Sequence, residues 1–313
     1  MGLRFGPDYP EQTYIKHAYP EHLVDLGDVK MNYAVAGDAS LPALLLIPGQ
    51  SESWWGYEQA MPLLAKNFHV HAVDLRGQGR SSRTPGRYTL DNMGNDLVRF
   101  IDIVIKRPTF VSGLSSGGVL SAWLSAYAKP AQIIGAHYED PPLFHSEVDT
   151  SCGQSLRQGV GSMFALWSKY LGDQWSIGDW EGMKAAAPTE LLPWIAAAFP
   201  QSDEPPQNLK EYDPEWARAF HTGTVAASCD HARMLQSVKV PVLFTHHFRR
   251  VDESSGFLMG ALSDVQAARA KELVTSAGQP FDYKSFPAMA HSMHGQDPNL
   301  FAATLIEWAK TLL

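Results

Sequence analysis

Thr109-Phe110-Val111-Ser112-Gly113-Leu114-Ser115-Ser116-Gly117-Gly118-Val119-Leu120 runs from an apolar stretch, through a Gly-x-Ser-x-Gly turn, into helical spacing that continues to Tyr127. Strand, sharp turn, helix is the setting in which this pentapeptide carries chemistry, because it lifts the serine hydroxyl to the top of a sheet. A nucleophile on so tight a turn needs neighbours without a Cβ, since its backbone is strained and passes close to the adjoining strand. Gly113 and Gly117 supply that room. In the following helix Val119, Leu120, Trp123, Leu124 and Tyr127 alternate with small Ser121, Ala122, Ser125 and Ala126, so one face can pack closely on a sheet. The helix N-terminus then aims its free amides at the reacting oxygen. A plain Gly/Ser turn is the alternative; the flanking strand and helix favour Ser115 as nucleophile.

Outward from this turn, residues 22–26 and 29–35 alternate around Gly27-Asp28, the pattern of an antiparallel hairpin. Buried-type strands are predicted at 43–47, 69–73, 109–112, 133–138, 240–245 and 281–286, with amphipathic stretches at 97–105 and 265–274. The alternation predicts an α/β chain with a mostly parallel central sheet and helices on both faces. It breaks between Pro141-Pro142 and Val240-Pro241, where helical fragments and loops such as Asp203-Glu204-Pro205-Pro206 replace strands. Residues 143–238 are therefore expected to form a mainly helical lid inserted into a core domain of residues 1–142 and 239–313, with an N-terminal arm over 1–20. Trp167, Trp175, Trp180, Trp194 and Trp216, five of the nine tryptophans, fall in the lid and suit either an apolar underside or its own small core.

Of 313 residues, 45% are hydrophobic and 19% charged, as in ordinary globular proteins. The formal net charge of -8 disfavours nucleic acid and anionic membranes as partners and leaves a small neutral or apolar ligand. Cys152 and Cys229 are the only cysteines and form no CxxC, so neither a zinc site nor a disulfide framework is expected. Met1-Gly2-Leu3-Arg4-Phe5-Gly6-Pro7-Asp8 lacks an apolar leader core, and no run of about 18 apolar residues occurs; a cytoplasmic protein is expected.

A serine hydroxyl needs a base within hydrogen-bond reach, and the base needs an acid to fix its tautomer. The expected chain order is Ser, acid, His. His291 lies in a short loop between the last predicted strand and the helix predicted at 300–309, and is favoured as base over His294, His246 and His247. His291 and His294 lack a third ligand at metal spacing, so no cofactor or metal is expected. For the acid, Glu139 at the end of its strand is preferred, with adjacent Asp140 leaving the choice open and Asp252, beside Arg249 and Arg250, as alternative. The oxyanion is expected to meet the amides of Ser116 and of Gln50, in Pro48-Gly49-Gln50-Ser51.

The serine turn, Asp74-Leu75-Arg76-Gly77-Gln78-Gly79-Arg80-Ser81 and His291 together resemble the α/β-hydrolase superfamily. More narrowly, the chain resembles the bacterial zearalenone hydrolases in Ser53-Trp54-Trp55, Asn95-Asp96-Leu97-Val98-Arg99-Phe100-Ile101, Ser115-Ser116-Gly117-Gly118, Gly172-Asp173-Gln174-Trp175-Ser176-Ile177-Gly178-Asp179-Trp180, Pro206-Gln207-Asn208-Leu209-Lys210-Glu211-Tyr212-Asp213-Pro214-Glu215-Trp216 and Gly260-Ala261-Leu262-Ser263-Asp264. The resemblance implies hydrolysis of the macrocyclic ester of zearalenone, a resorcylic acid lactone, to an open hydroxy acid that loses carbon dioxide. It also implies a glutamate acid, which Glu139 matches at the family's spacing from Ser115, and a lid tryptophan at the substrate, for which Trp194 is the candidate. Leu143 and Phe144 at the lid entry are further candidates for the pocket wall. The N-terminal arm, absent from the smaller fungal lactonases, would serve contact in a homodimer. A general carboxylesterase or C-C hydrolase, and a ligand receptor without turnover, are the competing readings. Epoxide hydrolysis and dehalogenation are disfavoured, because they use a carboxylate where this chain has Ser115.

Overall fold

The computed structural model describes residues 14–144, 156–172 and 178–313. Strands β1 (Glu21–Asp25) and β2 (Lys30–Ala36) pair antiparallel with Asp25 opposite Lys30. The turn between them closes with Leu26 N donating to Val29 O at 2.9 Å, and Gly27 takes the φ of 92° that this tight turn requires. Six further strands, β3 (Ala43–Ile47), β4 (His69–Val73), β5 (Thr109–Leu114), β6 (Ile133–Glu139), β7 (Val242–His246) and β8 (Phe281–Ser285), complete an eight-stranded sheet. Its order is β1-β2-β4-β3-β5-β6-β7-β8, antiparallel at β1, β2 and β4 and parallel from β4 to β8. All six strands predicted as buried are present, within two residues of their expected ends.

Central strands β3 and β5 are buried along their whole length, as their unbroken apolar runs require, whereas β1 and β8 keep exposed positions at the sheet edges. Apolar side chains divide into two layers. One lies under the helices α1 (Leu90–Phe100), α2 (Ser116–Tyr127) and, further along the chain, Asp264–Ser276; the other packs Leu44, Leu46, Phe110 and Leu243 against Phe301, Leu305 and Trp308 of the C-terminal helix Pro298–Lys310. α1 starts seven residues earlier than its expected 97–105 stretch. Thr89 caps it by accepting Asn92 N at 3.2 Å, and Leu90, Met93, Leu97 and Phe100 extend the buried face towards the N-terminus. Its last part, Ile101–Ile105, is π-helical and stops at Lys106, φ 61°.

Between β6 and β7 the described residues add no strand to the sheet and form helices α3 (Leu156–Tyr170), α4 (Trp180–Glu190) and α5 (Pro214–Thr222), with shorter turns between. Phe164 of α3 meets Phe220 of α5 at 5.3 Å, and Phe220 stacks on Trp216. Three tryptophans of this region serve packing. Trp216 is fully buried and donates to Arg76 O at 2.7 Å, Trp180 stacks on Phe199, and Trp167 meets Tyr212 edge-on. Trp175, Cys152 and most of the first 20 residues lie outside the described residues. Cys229 is buried, which pushes its thiol up to about 12 and leaves it inert. Among the described residues no helix is long and apolar enough to cross a membrane.

Candidate active site

Ser115 has φ 56° and ψ -121°, a strained conformation for a residue with a side chain, and sits between the last residue of β5 and the first of α2. The two glycines around it are steric requirements. A Cβ on Gly113 would lie 2.1 Å from Gly117 O, and one on Gly117 would lie 2.3 Å from Ile47 O. The turn is tied to β6 by Ser115 N donating to Glu139 O at 2.8 Å.

β6 ends at Glu139, Asp140 follows it directly, and the two carboxylates leave in opposite directions. Glu139 enters the layer beneath the C-terminal helix, fully buried, and meets His294, whose Nδ1 is 3.1 Å from Oε2. Its Oε1 also accepts Met293 N at 2.8 Å and His294 N at 3.3 Å. Asp140, turned by a φ of 42°, goes the other way: Oδ2 lies 2.7 Å from His291 Nδ1, and Oδ1 accepts His247 N at 3.1 Å. The expected pairing of His291 with Glu139 is thus replaced by His291 with Asp140, and Glu139 is engaged by the loop that carries His291. Asp252, the alternative acid, accepts bonds from Ser254 Oγ at 2.6 Å and from Ser255 N at 2.8 Å, and so closes a local turn; it makes no hydrogen bond with His291.

Electrostatics follow these pairings. Burial opposes charge on Glu139, but His294 outweighs it and draws the carboxyl down from 4.5 to about 2. Burial likewise lowers the pKa of His291, yet the hydrogen bond and charge of Asp140 prevail and leave it above 6.5. The competing histidines have both ring nitrogens occupied. His246 contacts Tyr283 Oη at 2.9 Å and Leu262 O at 2.8 Å; His247 contacts His291 O at 2.9 Å and Thr245 Oγ1 at 3.2 Å. His294 stacks on Tyr57 at 4.0 Å, deep in the core. His291 alone of the four has a side chain half open to solvent, at 49%. Its Nε2 makes no hydrogen bond with Ser115 in this structure, an arrangement that commonly tightens only with substrate bound.

One supporting group was missed in the sequence. His137, two residues before Glu139 on the same face of β6, joins Ser112 Oγ at 2.9 Å to Thr245 Oγ1 at 3.0 Å, and burial lowers its pKa to about 4, so it is neutral. The His-x-Glu spacing on a strand was the available signal.

The amides of Gln50 and Ser116 donate to no acceptor among the described residues, which leaves both available to an oxyanion. Gly49 lets the loop approach: the place of its missing Cβ is 3.3 Å from Ser115 Cβ. Beside His291 and Asp140 opens a cavity of about 520 Å³ with Val160, Trp194, Phe248 and Met289 in its wall. Ser115, partly exposed, is not part of that wall. Trp194 is the expected tryptophan, and its Nε1 has no partner among the described residues. Leu143 and Phe144, also expected at the pocket, are instead buried in the core and absent from the described wall. Phe144 lies under Arg269, at 4.3 Å, and donates its amide to His231 Nδ1. Among the described residues no three His, Cys, Asp or Glu side chains cluster as a metal site would need.

Known proteins are similar to this chain in sequence and in fold. 3-Oxoadipate enol-lactonase 2 of Acinetobacter baylyi is 33% identical over 222 residues, covering 69% of this chain and 74% of that protein. Mouse epoxide hydrolase 4 is 26% identical over 161 residues, covering 50% of this chain and 44% of that one. Among solved structures, the enol-lactonase from Burkholderia xenovorans superposes with a TM-score of 0.65 at 17% identity, over 92% of this chain and all 100% of that one. The family model for the alpha/beta hydrolase fold matches residues 42–174, a span that holds β3 to β6, the serine turn and both carboxylates. Sheet order, turn and sequence relatives agree, and the chain belongs to the α/β-hydrolase family.

Proposed function

We propose that the protein is a serine hydrolase that opens the macrocyclic lactone ester of zearalenone through an acyl-enzyme on Ser115. The observation that carries this is the His291–Asp140 pair at the edge of a cavity walled by Val160, Trp194, Phe248 and Met289. A cavity of about 520 Å³ is of the size that encloses a drug-sized molecule, and its aromatic and aliphatic walls suit a flat apolar macrocycle. Helices of residues 143–238 act as the cap over a core of residues 1–142 and 239–313, and give that cavity Val160 and Trp194.

His291 Nε2 takes the Ser115 proton as Oγ attacks the ester carbonyl, and Asp140 holds Nδ1–H and stabilises the imidazolium. Gln50 and Ser116 amides receive the oxyanion, and collapse expels the ring oxygen, which His291 protonates. Water, deprotonated by His291, then adds to the acyl carbon; collapse breaks the bond to Ser115 Oγ, His291 returns the proton to that oxygen, and the released hydroxy acid loses carbon dioxide. Asp140 takes the acid's role in place of Glu139, because Glu139 is committed to His294 and to two amides of the His291 loop. The enol-lactonase relative supports a lactone as substrate, and it also favours a second reading, a smaller enol-lactone in the same site. Epoxide chemistry of the mouse relative's kind is disfavoured by Ser115 at the nucleophile position.

Chromatography of zearalenone incubated with wild type and with Ser115→Ala tests the proposal. Loss of the lactone and appearance of the ring-opened product with wild type alone is the expected result. No conversion by a wild type that still cleaves short aryl esters would discard the macrolactone and keep the serine hydrolase.

A further inference from the structure

The loop after β3 that carries the Gln50 amide is held from outside the sheet. Ser51 lies at φ 59°, a left-handed conformation that costs a serine energy, and the loop's internal bonds are only moderate: Glu52 N to Gly49 O at 3.3 Å and Gly49 N to Glu52 Oε2 at 3.2 Å. Residues 207–212, in the helical region between β6 and β7, supply the rest. Gln50 Nε2 donates to the Tyr212 hydroxyl at 2.6 Å, and Asn208 Nδ2 donates to Ser51 O at 2.9 Å. Glu211 Oε2 accepts Ser53 Oγ at 3.4 Å and Trp55 Nε1 at 3.1 Å, while Gln207 Nε2 braces the other carboxylate oxygen at 2.9 Å. Glu52 N donates to Gln78 Oε1 at 3.1 Å, and Gln78 is itself bridged to Tyr212. Each residue from 50 to 53 is therefore bound to this segment, directly or through Gln78. Tyr212 and Glu211 are buried, which shields their ends of these bonds from water.

We propose that Tyr212, with Asn208 and Glu211, is a positioning residue for the oxyanion loop: the region between β6 and β7 sets the direction of the Gln50 amide as well as enclosing substrate. The inference rests on the serine-hydrolase reading. An amide aimed at charge that develops only in the transition state affects turnover and leaves ground-state binding nearly untouched. Tyr212→Phe keeps the ring against Trp167 and removes only the hydroxyl.

On an activated aryl ester, Tyr212→Phe is expected to lower kcat by about 10- to 100-fold with KM changed by less than about threefold. Gln50→Ala keeps its backbone amide and is expected to lose a similar factor, and the double variant no more than either, since the two side chains act through one contact. Unchanged kcat in Tyr212→Phe, or effects that multiply in the double variant, would overturn the inference. If Tyr212→Phe unfolds, the partly exposed Gln50 carries the same expectation alone, and full activity of Gln50→Ala overturns it. Ser115→Ala is measured beside them: its retained activity would sink the serine-hydrolase reading and the inference with it, whereas its silence with normal Tyr212→Phe sinks the inference only.

Discussion

Asp140 and Glu139 differ by one position and by the histidine each holds. Asp140→Asn is expected to reduce kcat by about 10³- to 10⁴-fold, because the amide no longer holds the His291 tautomer or balances its charge. Glu139→Gln is expected to cost less than about tenfold in kcat but about 2 to 3 kcal/mol of stability, since it leaves His294 buried without its carboxylate. Equal kinetic losses in the two variants would contradict this division of labour. The same pair sets the pH dependence. A base works only when neutral; partial burial lowers the His291 pKa, but Asp140 raises it by more, and the net value is above 6.5. kcat/KM for an aryl ester should therefore fall as pH drops through a value above 6.5. In Asp140→Asn the largest raising influence is gone, while burial and the weaker pull of Glu52 and Glu139 remain, so the limb moves to lower pH. A wild-type limb below 6.5, or one unmoved by Asp140→Asn, would count against the assignment. Sequence preferred Glu139 and left adjacent Asp140 and the more distant Asp252 open, because which carboxylate meets His291 depends on how the chain turns just after β6, where Asp140 has φ 42°.

At the scale of elements, the serine turn was legible because its constraint is local: a strand, two glycines and a helix within 19 residues from Thr109 to Tyr127. The structure gives that constraint a distance, 2.3 Å from a Gly117 Cβ to Ile47 O, which is a backbone atom of β3 and cannot swing aside. Gly117→Ala is expected to destabilise the protein by at least about 3 kcal/mol, or to prevent soluble expression, as read by denaturant unfolding. A change under about 0.5 kcal/mol would mean that the turn is looser than described. The pocket wall was less legible. Leu143 and Phe144 stand at the lid entry, just past Pro141-Pro142, where a pocket wall is expected, but the chain turns at Phe144 (φ 60°) and buries both. Trp194, far along the chain, reaches the wall through helix packing that no local pattern encodes.

Across the whole molecule, strand order places three distant segments at one end of the sheet: the Gln50 loop after β3, the serine turn after β5, and Asp140 after β6 beside β7. The loop after β8 then brings His291 to Asp140, across 151 residues. Alternating apolar runs were enough to read these strands. The contacts of residues 207–212 with the oxyanion loop were not readable, because they join groups about 160 positions apart with no periodicity between them. The proposed mechanism makes Ser115 the nucleophile, activated by His291. Intact mass and peptide mapping after exposure to a p-nitrophenyl alkylphosphonate test that role: the serine oxygen forms a bond to phosphorus and p-nitrophenolate leaves. One phosphonyl group on the peptide that contains Ser115, with loss of esterase activity and no labelling of Ser115→Ala, is the expected result. An unlabelled wild type, or equal labelling of Ser115→Ala, would contradict it.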